Sequence, residues 1–263
     1  MTARSRREIR QVRRERALAF LVFVGFLLAW AGLVWVRGFS PLVLPSPLLV
    51  GSTLVANLAN GHLLVHLWVT LQEIVLGSLA GSALGVGLGT AVAHSQLLQR
   101  VLNPYIIASQ AMPKLALAPI FVLWFGFGIL PKVVIAALIA FFPLLENTIT
   151  GLNEVDPDKM ELFRSLDATP WQIFRKLRLP NAVPFLFAGL RVAVVLSVVG
   201  AIVGEYVGAN RGLGALIIAS QGTMDTPLMF SVFVVLTVLG YALYKLMERL
   251  ERICLTWRYA ERE

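Results

Sequence analysis

Residues 17–36 run for 20 positions without a single charged side chain, directly after seven arginines between residues 4 and 16. A helix crosses the hydrocarbon core of a bilayer with about 20 apolar residues. Five more apolar stretches of comparable length follow, at about 67–93, 104–127, 132–150, 184–207 and 229–247. Hydrocarbon offers no partner to backbone N–H and C=O groups, so such stretches must satisfy those groups internally, as helices. This constraint sets the fold class as all-α, a polytopic transmembrane bundle of six helices. With 57% hydrophobic and 14% charged residues, and a mean hydropathy of +0.76, the chain has no room for a sizeable soluble domain. The expected organisation is a basic tail over 1–16 and one transmembrane domain over 17–263, its core at about 66–250.

Lysine and arginine set the orientation. They gather in the tail, at Arg100, in the segment from Lys159 to Arg178 and in the C-terminal stretch from Lys245 to Arg262. With the first span running outward, all of these face the cytoplasm, and only Arg37, Lys132 and Arg211 fall outside. Both ends of the chain are therefore expected inside, in a bacterial cytoplasmic (inner) membrane. A cleaved leader would have a shorter apolar core and a small-residue cleavage site. Trp30 and Trp35 instead read as an interfacial anchor on a retained span.

Several chemistries are disfavoured. The single cysteine, Cys254, allows no internal disulfide, and no Cys/His cluster has the spacing of a structural zinc site. His62 and His66 lie four apart at the outer boundary, but two histidines without a third ligand read as an interfacial polar pair, so no metal is expected. The net charge of +8 follows membrane topology rather than the basic face of a folded domain, so nucleic acid is not an expected partner and membrane lipid is. No nucleophile, base and metal constellation appears, so no catalysis is expected. No G-x-x-x-x-G-K-[ST] loop is present to cradle phosphates, so energy for any transport must come from another chain.

The loops differ in character. Residues 37–62, with Pro41, Pro45 and Pro47, read as an outer loop, and 208–228 as a Gly-rich, moderately apolar surface loop. The inner segment 151–183 is the informative one. Asp156-Pro157 is a helix start, after which Met160, Phe163 and Leu166 recur on one face. Thr169 and Gln172 form a second start of capping-box type, and Trp171, Phe174 and Leu177 make a second apolar stripe that Pro180 is expected to stop. The segment thus reads as two short amphipathic helices with a bend near Asp167. Pattern alone leaves two uses open, lying on the membrane or docking a partner.

Glu161, Asp167 and the run Leu177-Arg178-Leu179-Pro180 resemble, in residue type and spacing, the E-A-A, G, I-x-L-P signature of binding-protein-dependent ABC importer permeases. Leu162 and Phe163 stand where that family has alanines, Asp167 where it has glycine, and Leu177 where it has isoleucine. Further motifs are similar to the nitrate, sulfonate and taurine branch: Leu44-Pro45-Ser46-Pro47, Thr70-Leu71 with Gly77, the run MPKLALAPIFVLWFGFG over 112–128, Phe142-Pro143 with Asn147-Thr148, and Arg211-Gly-Leu-Gly214. The resemblance implies the permease fold, with spans two to five around the path and a second copy, a homodimer, across it. It implies cytoplasmic ATPase subunits, carrying ATP and Mg, docked on coupling helices at 155–180, with no cofactor bound by this chain. An extracytoplasmic binding protein is implied as the source of solute. For coupling, the expected residues are Glu161, Phe163, Arg164, Asp167, Trp171, Leu177 and Pro180.

Within the spans, Gly77, Gly81, Gly85 and Gly89 make a ladder expected to serve helix packing. Pro113, Pro119, Pro131 and Pro143 interrupt or bracket the third and fourth spans, favouring a path between them. A charge at the bilayer centre costs about 2.5–3.5 kcal/mol, so Glu73, Lys114, Glu146, Arg191 and Glu205 should pair or face the bundle interior. Arg191 and Glu146 are expected as a pair. Lys114, Glu146 and Glu205 are the expected path residues, with Lys114 suited to an anionic solute. The expected solute is a nitrate-, sulfonate- or taurine-type anion or similar small molecule. The alternatives are a vitamin or its precursor, such as a flavin or pyrimidine, and a proton-coupled secondary transporter using Glu73, Glu146 or Glu205.

Overall fold

The computed structural model describes residues 3–256. Met1 and Thr2 of the basic tail, and Arg258 and Arg262 of the C-terminal basic group, lie outside the described residues. The described residues are mostly helical, with no strand among them: α1 (Ala3–Arg37), α2 (Pro47–Ala59), α3 (His62–His94), α4 (Gln96–Ala111), α5 (Ala118–Phe125), α6 (Leu130–Asn153), α7 (Pro157–Ser165), α8 (Pro170–Ile173), α9 (Leu179–Tyr206), α10 (Leu213–Gly222) and α11 (Thr226–Cys254). Among the described residues five helices are long and apolar enough to cross a membrane, and a sixth crossing is possible through a bent pair.

The centre is a three-helix layer in which α6 lies between α3 and α9. Small residues make that closeness possible. A Cβ added at Gly77 would overlap the Ala136 side chain, at Gly81 the Ala137 carbonyl, at Gly85 the Phe141 carbonyl and at Gly89 Thr148. The ladder therefore seats α3 on α6 along its length. A second stripe seats α9 on the other side of α6: Gly200 faces the Ala136 backbone, Gly189 faces Asn147, and Gly151 of α6 faces Phe185. At the outer end α10 and α11 close over α3, where Leu63, Leu213, Leu216, Ile217 and Val232 form a buried cluster. α1 stands at the margin, touching α2 and setting Trp30 against Phe230 of α11 at 5.7 Å between ring centroids.

The third span is interrupted where Pro113 and Pro119 were expected to break it: α4 and the helical stretch Lys114–Phe125 meet at a 79° bend. Pro113 has no N–H to continue the ladder and holds Met112 extended (φ −69°, ψ 132°), while Pro119 starts the next helix in its first turn. Two other sequence expectations change. The two outer loops carry helices, α2 and the largely buried α10. At about 15 Å, ten residues of helix are too short to cross, so α10 lies within the outer layer. Finally, Pro180 does not stop a helix. The chain is continuous from Pro170 to Tyr206, and a widened turn over Phe174–Arg178, in which Leu179 N–H reaches back to the Phe174 carbonyl, absorbs the proline.

Candidate functional site

On the cytoplasmic side the chain between α6 and α9 folds as its local signals require. The Asp156 side chain accepts from the Asp158 N–H at 3.0 Å and starts α7, and Thr169 and Gln172 exchange the two bonds of a capping box. Between them Asp167 takes a left-handed conformation (φ +50°). Its N–H donates to the Arg164 carbonyl and that of Ala168 to the Phe163 carbonyl, each at 3.0 Å, which is a Schellman close with Asp167 in the position glycine favours. Glu161, Arg164 and Trp171 are exposed, Phe163 is half-buried, Leu177 is buried and Pro180 is exposed. The Trp171 ring stacks on Phe174 at 5.7 Å, and Phe174 meets His94 at the inner end of α3 at 5.3 Å.

A side chain with no sequence signal anchors this element. Asn181 Nδ2 donates to the carbonyls of Gly151 at 3.1 Å and Glu154 at 2.7 Å. The end of α6 and the start of α9 are thus tied at the point where the loop leaves one and enters the other.

A second group lies at the broken helix. Lys114 Nζ sits 4.3 Å from the centre of the Phe142 ring and donates to the Gln110 carbonyl at 3.4 Å. Gln110 Nε2 reaches Glu146 Oε2 at 3.4 Å. Gln110, Lys114, Phe142 and Glu146 thus form one continuous strip on the face where α4 and its bend meet α6. Glu146 is exposed although it lies well inside a spanning helix, so its carboxylate requires water or protein beyond this single chain rather than lipid.

Arg191 and Glu146 do not pair. Asn147 is the residue that faces Gly189 on α9, and a helix turns 100° per residue. Glu146 therefore points to the α4 side, and Arg191 to α11, where it meets Glu251 at 3.3 Å. Lys132, counted from sequence as an outer charge, is buried in an ion pair with Glu73 at 2.6 Å. Glu205 lies apart from the Lys114 strip, at the outer end of α9. Its Oε1 accepts from Thr70 Oγ1 at 2.6 Å and its Oε2 from the Gly214 N–H at 2.5 Å, while the Leu213 N–H donates to Thr70 Oγ1 at 2.8 Å. His66 Nδ1 lies 2.8 Å from the Gly212 carbonyl oxygen and 3.1 Å from its nitrogen. These bonds clasp the turn before α10 to α3. A Cβ on Gly212 or Gly214 would strike the Glu205 carboxylate, which explains the glycines of the RGLG run. No group of three metal-ligating side chains occurs among the described residues.

Residues 75–253 match the family described as binding-protein-dependent transport system inner membrane component. The chain is 38% identical over 231 residues to a riboflavin transport system permease protein of Chloroflexus aurantiacus, covering 88% of this chain and 86% of the relative. It is 38% identical to a formylaminopyrimidine transport permease protein of Halalkalibacterium halodurans (83% of this chain, 87% of the relative). To a putative aliphatic sulfonates transport permease protein of Bacillus subtilis it is 32% identical (83% and 79%). The fold matches that of a chain in an inward-facing crystal form of the MetNI methionine ABC transporter, with a TM-score of 0.64 at 24% identity over 73% of this chain and 95% of that one.

Proposed function

Because the chain belongs to the binding-protein-dependent transport system inner membrane component family, as the non-catalytic permease subunit of an ABC importer in the inner membrane, we propose that it carries a small heteroaromatic nutrient of the flavin or pyrimidine kind. The ATPase is a separate chain, which removes any need for the proton coupling considered as an alternative. The observation that carries the solute class is the strip at the broken helix. An ammonium over an aromatic face, a primary amide and a carboxylate offer stacking, donors and acceptors together, which is what a planar heterocycle requires. An oxyanion would instead call for several cations and no carboxylate. The riboflavin and formylaminopyrimidine permeases among the relatives support the same reading.

In this reading Lys114 and Glu146 face the path between two copies of the chain, and Glu205 supports its outer end by holding the turn before α10. The ATPase sits on 155–180, with Phe163 and Trp171 in its groove, Glu161 and Arg164 at the rim, Asp167 holding the bend, and Leu177 and Pro180 joining the element to α9. An extracytoplasmic binding protein delivers the solute. Sulfonate-type anions are the second reading, favoured by the cation at Lys114 and by the sulfonate permease relative.

The test is uptake into proteoliposomes holding the permease, its ATPase and its binding protein. Riboflavin or a formylaminopyrimidine should enter with ATP, and Lys114→Met should reduce entry while the complex still assembles. ATP-driven entry of taurine or alkanesulfonates without either heterocycle would overturn the solute class.

A further inference from the structure

The last spanning helix, α11, changes character along its length. From Pro227 to Gly240 it carries no charged side chain, and Lys245, nineteen residues after Thr226, lies about 28 Å from the outer start of the helix. The hydrocarbon core is about 30 Å thick, so Lys245 stands at its inner edge and Arg252, about 39 Å along, at headgroup depth. Between them is a recess of about 760 Å³, bounded by Tyr241, Lys245, Glu248, Arg249 and Arg252 among residues that all belong to α11. The recess therefore opens sideways to the bilayer rather than into the bundle.

Its charges do not balance. Lys245 Nζ reaches Glu248 Oε2 at 2.5 Å and Arg252 reaches Glu248 Oε1 at 2.6 Å, so one carboxylate serves two cations. Glu251, the next carboxylate on the helix, is buried and held by Arg191 at 3.3 Å. Arg249 is exposed and has no ion-pair partner among the described residues. Three cations against one carboxylate leave the recess with two positive charges in excess. Above it, Val238 and Val234 are exposed on the same face, because steps of three and four residues back from Lys245 return to one side of a helix, and Tyr241 marks the boundary. Guanidinium groups suit phosphate oxygens, and the apolar lane leading down to them suits an acyl chain. A free phosphate would have no use for the lane, and a neutral lipid none for the excess charge.

We infer that the inner end of α11 is a binding site for the headgroup of an anionic phospholipid, with Arg249 and the remaining donors of Lys245 and Arg252 on the phosphate and an acyl chain along Val238 and Val234. The inference holds whichever solute the importer carries.

The experiment uses the permease assembled with its ATPase in vesicles of equal parts phosphatidylglycerol and phosphatidylcholine. Ile253→Cys with Cys254→Ser puts the chain's single thiol at an exposed position beside the recess but outside its walls, and leaves every side chain of the proposed site in place. A benzophenone maleimide attached there is photolysed, and the captured lipid is identified by its mass. Each basic side chain near a membrane surface adds about a fivefold preference for anionic lipid, so phosphatidylglycerol should be captured over phosphatidylcholine by about fivefold or more. Arg249→Gln should lower that preference about fivefold and Arg249→Lys should keep most of it. Glu248→Gln, which releases Lys245 and Arg252, should raise it, a direction that a damaged fold does not produce. Equal capture of the two lipids overturns the site, as does capture of the ATPase in place of lipid. A loss from Arg13→Gln in the tail as large as that from Arg249→Gln would leave only general surface charge and also overturns it. Loss of phosphatidylglycerol capture on adding excess glycerol phosphate would make the occupant a soluble phosphate and overturns the lipid assignment.

Discussion

Asp167 holds a backbone conformation that an L side chain enters at a cost of about 1–2 kcal/mol, and its own side chain makes none of the bonds that close the bend. The closing bonds are backbone to backbone, so glycine keeps them and removes the strain. Asp167→Gly should therefore raise the thermal midpoint of the purified permease, by about 1 kcal/mol of stability, and Asp167→Val should lower it. A Gly variant less stable than the parent would mean that the carboxylate has a partner in the complex. Residues whose role is local were legible in this way. Asp156, Thr169, Gln172 and Asp167 each act on backbone within a few positions, and their geometry follows from residue type. Charged residues whose partners lie on other helices were not. The pairing of Lys132 with Glu73 and of Arg191 with Glu251 depends on how far each helix is rotated about its axis, which neighbouring residues do not reveal.

At the scale of the element, the central layer depends on close approach rather than on large side chains. The ladder on α3 brings its backbone against carbonyl oxygens of α6, and carbonyls cannot move aside as a side-chain end can. Gly87 lies on the same helix with nothing within reach of an added Cβ. Gly81→Ala should thus destabilise the permease by about 1–3 kcal/mol through overpacking, seen as loss of monodisperse protein on extraction, while Gly87→Ala should be silent. Equal tolerance of both would show that α3 can slide on α6. Helix stops were the weakest reading at this scale. Proline at position 113 breaks its span, whereas proline at 180 is carried through a widened turn, because at 180 the preceding turn can shift its hydrogen bonds by one residue and at 113 Met112 has turned extended.

Across the whole molecule, the element between α6 and α9 is tied to the central layer at its α9 end. Asn181 ties the end of α6 to the start of α9, and Phe174 rests on His94 of α3. Because α8 runs on into α9, a displacement of α8 would carry α9 with it and, through Asn181, the end of α6. Phe163→Asp would place a carboxylate in the proposed ATPase groove, and should abolish uptake and lower ATPase co-purification while the permease itself still inserts. Wild-type uptake with the ATPase retained would place this element on the membrane surface instead.

The number of apolar stretches, the orientation, the capped loop and the packing role of the glycines were all set by the sequence alone. Each depends on residue type over a turn or two, or on the absolute demand of hydrocarbon for satisfied backbone. Only the tertiary structure decided which buried charges meet, how sharply the broken third span bends, that α10 and α2 are helices of the outer layer, and that Lys114, Gln110, Phe142 and Glu146 share one strip while Glu205 does not. Those outcomes turn on helix rotation and on the depth at which distant segments meet. A pattern that records only which face is apolar carries neither quantity when, in a membrane, nearly every face is.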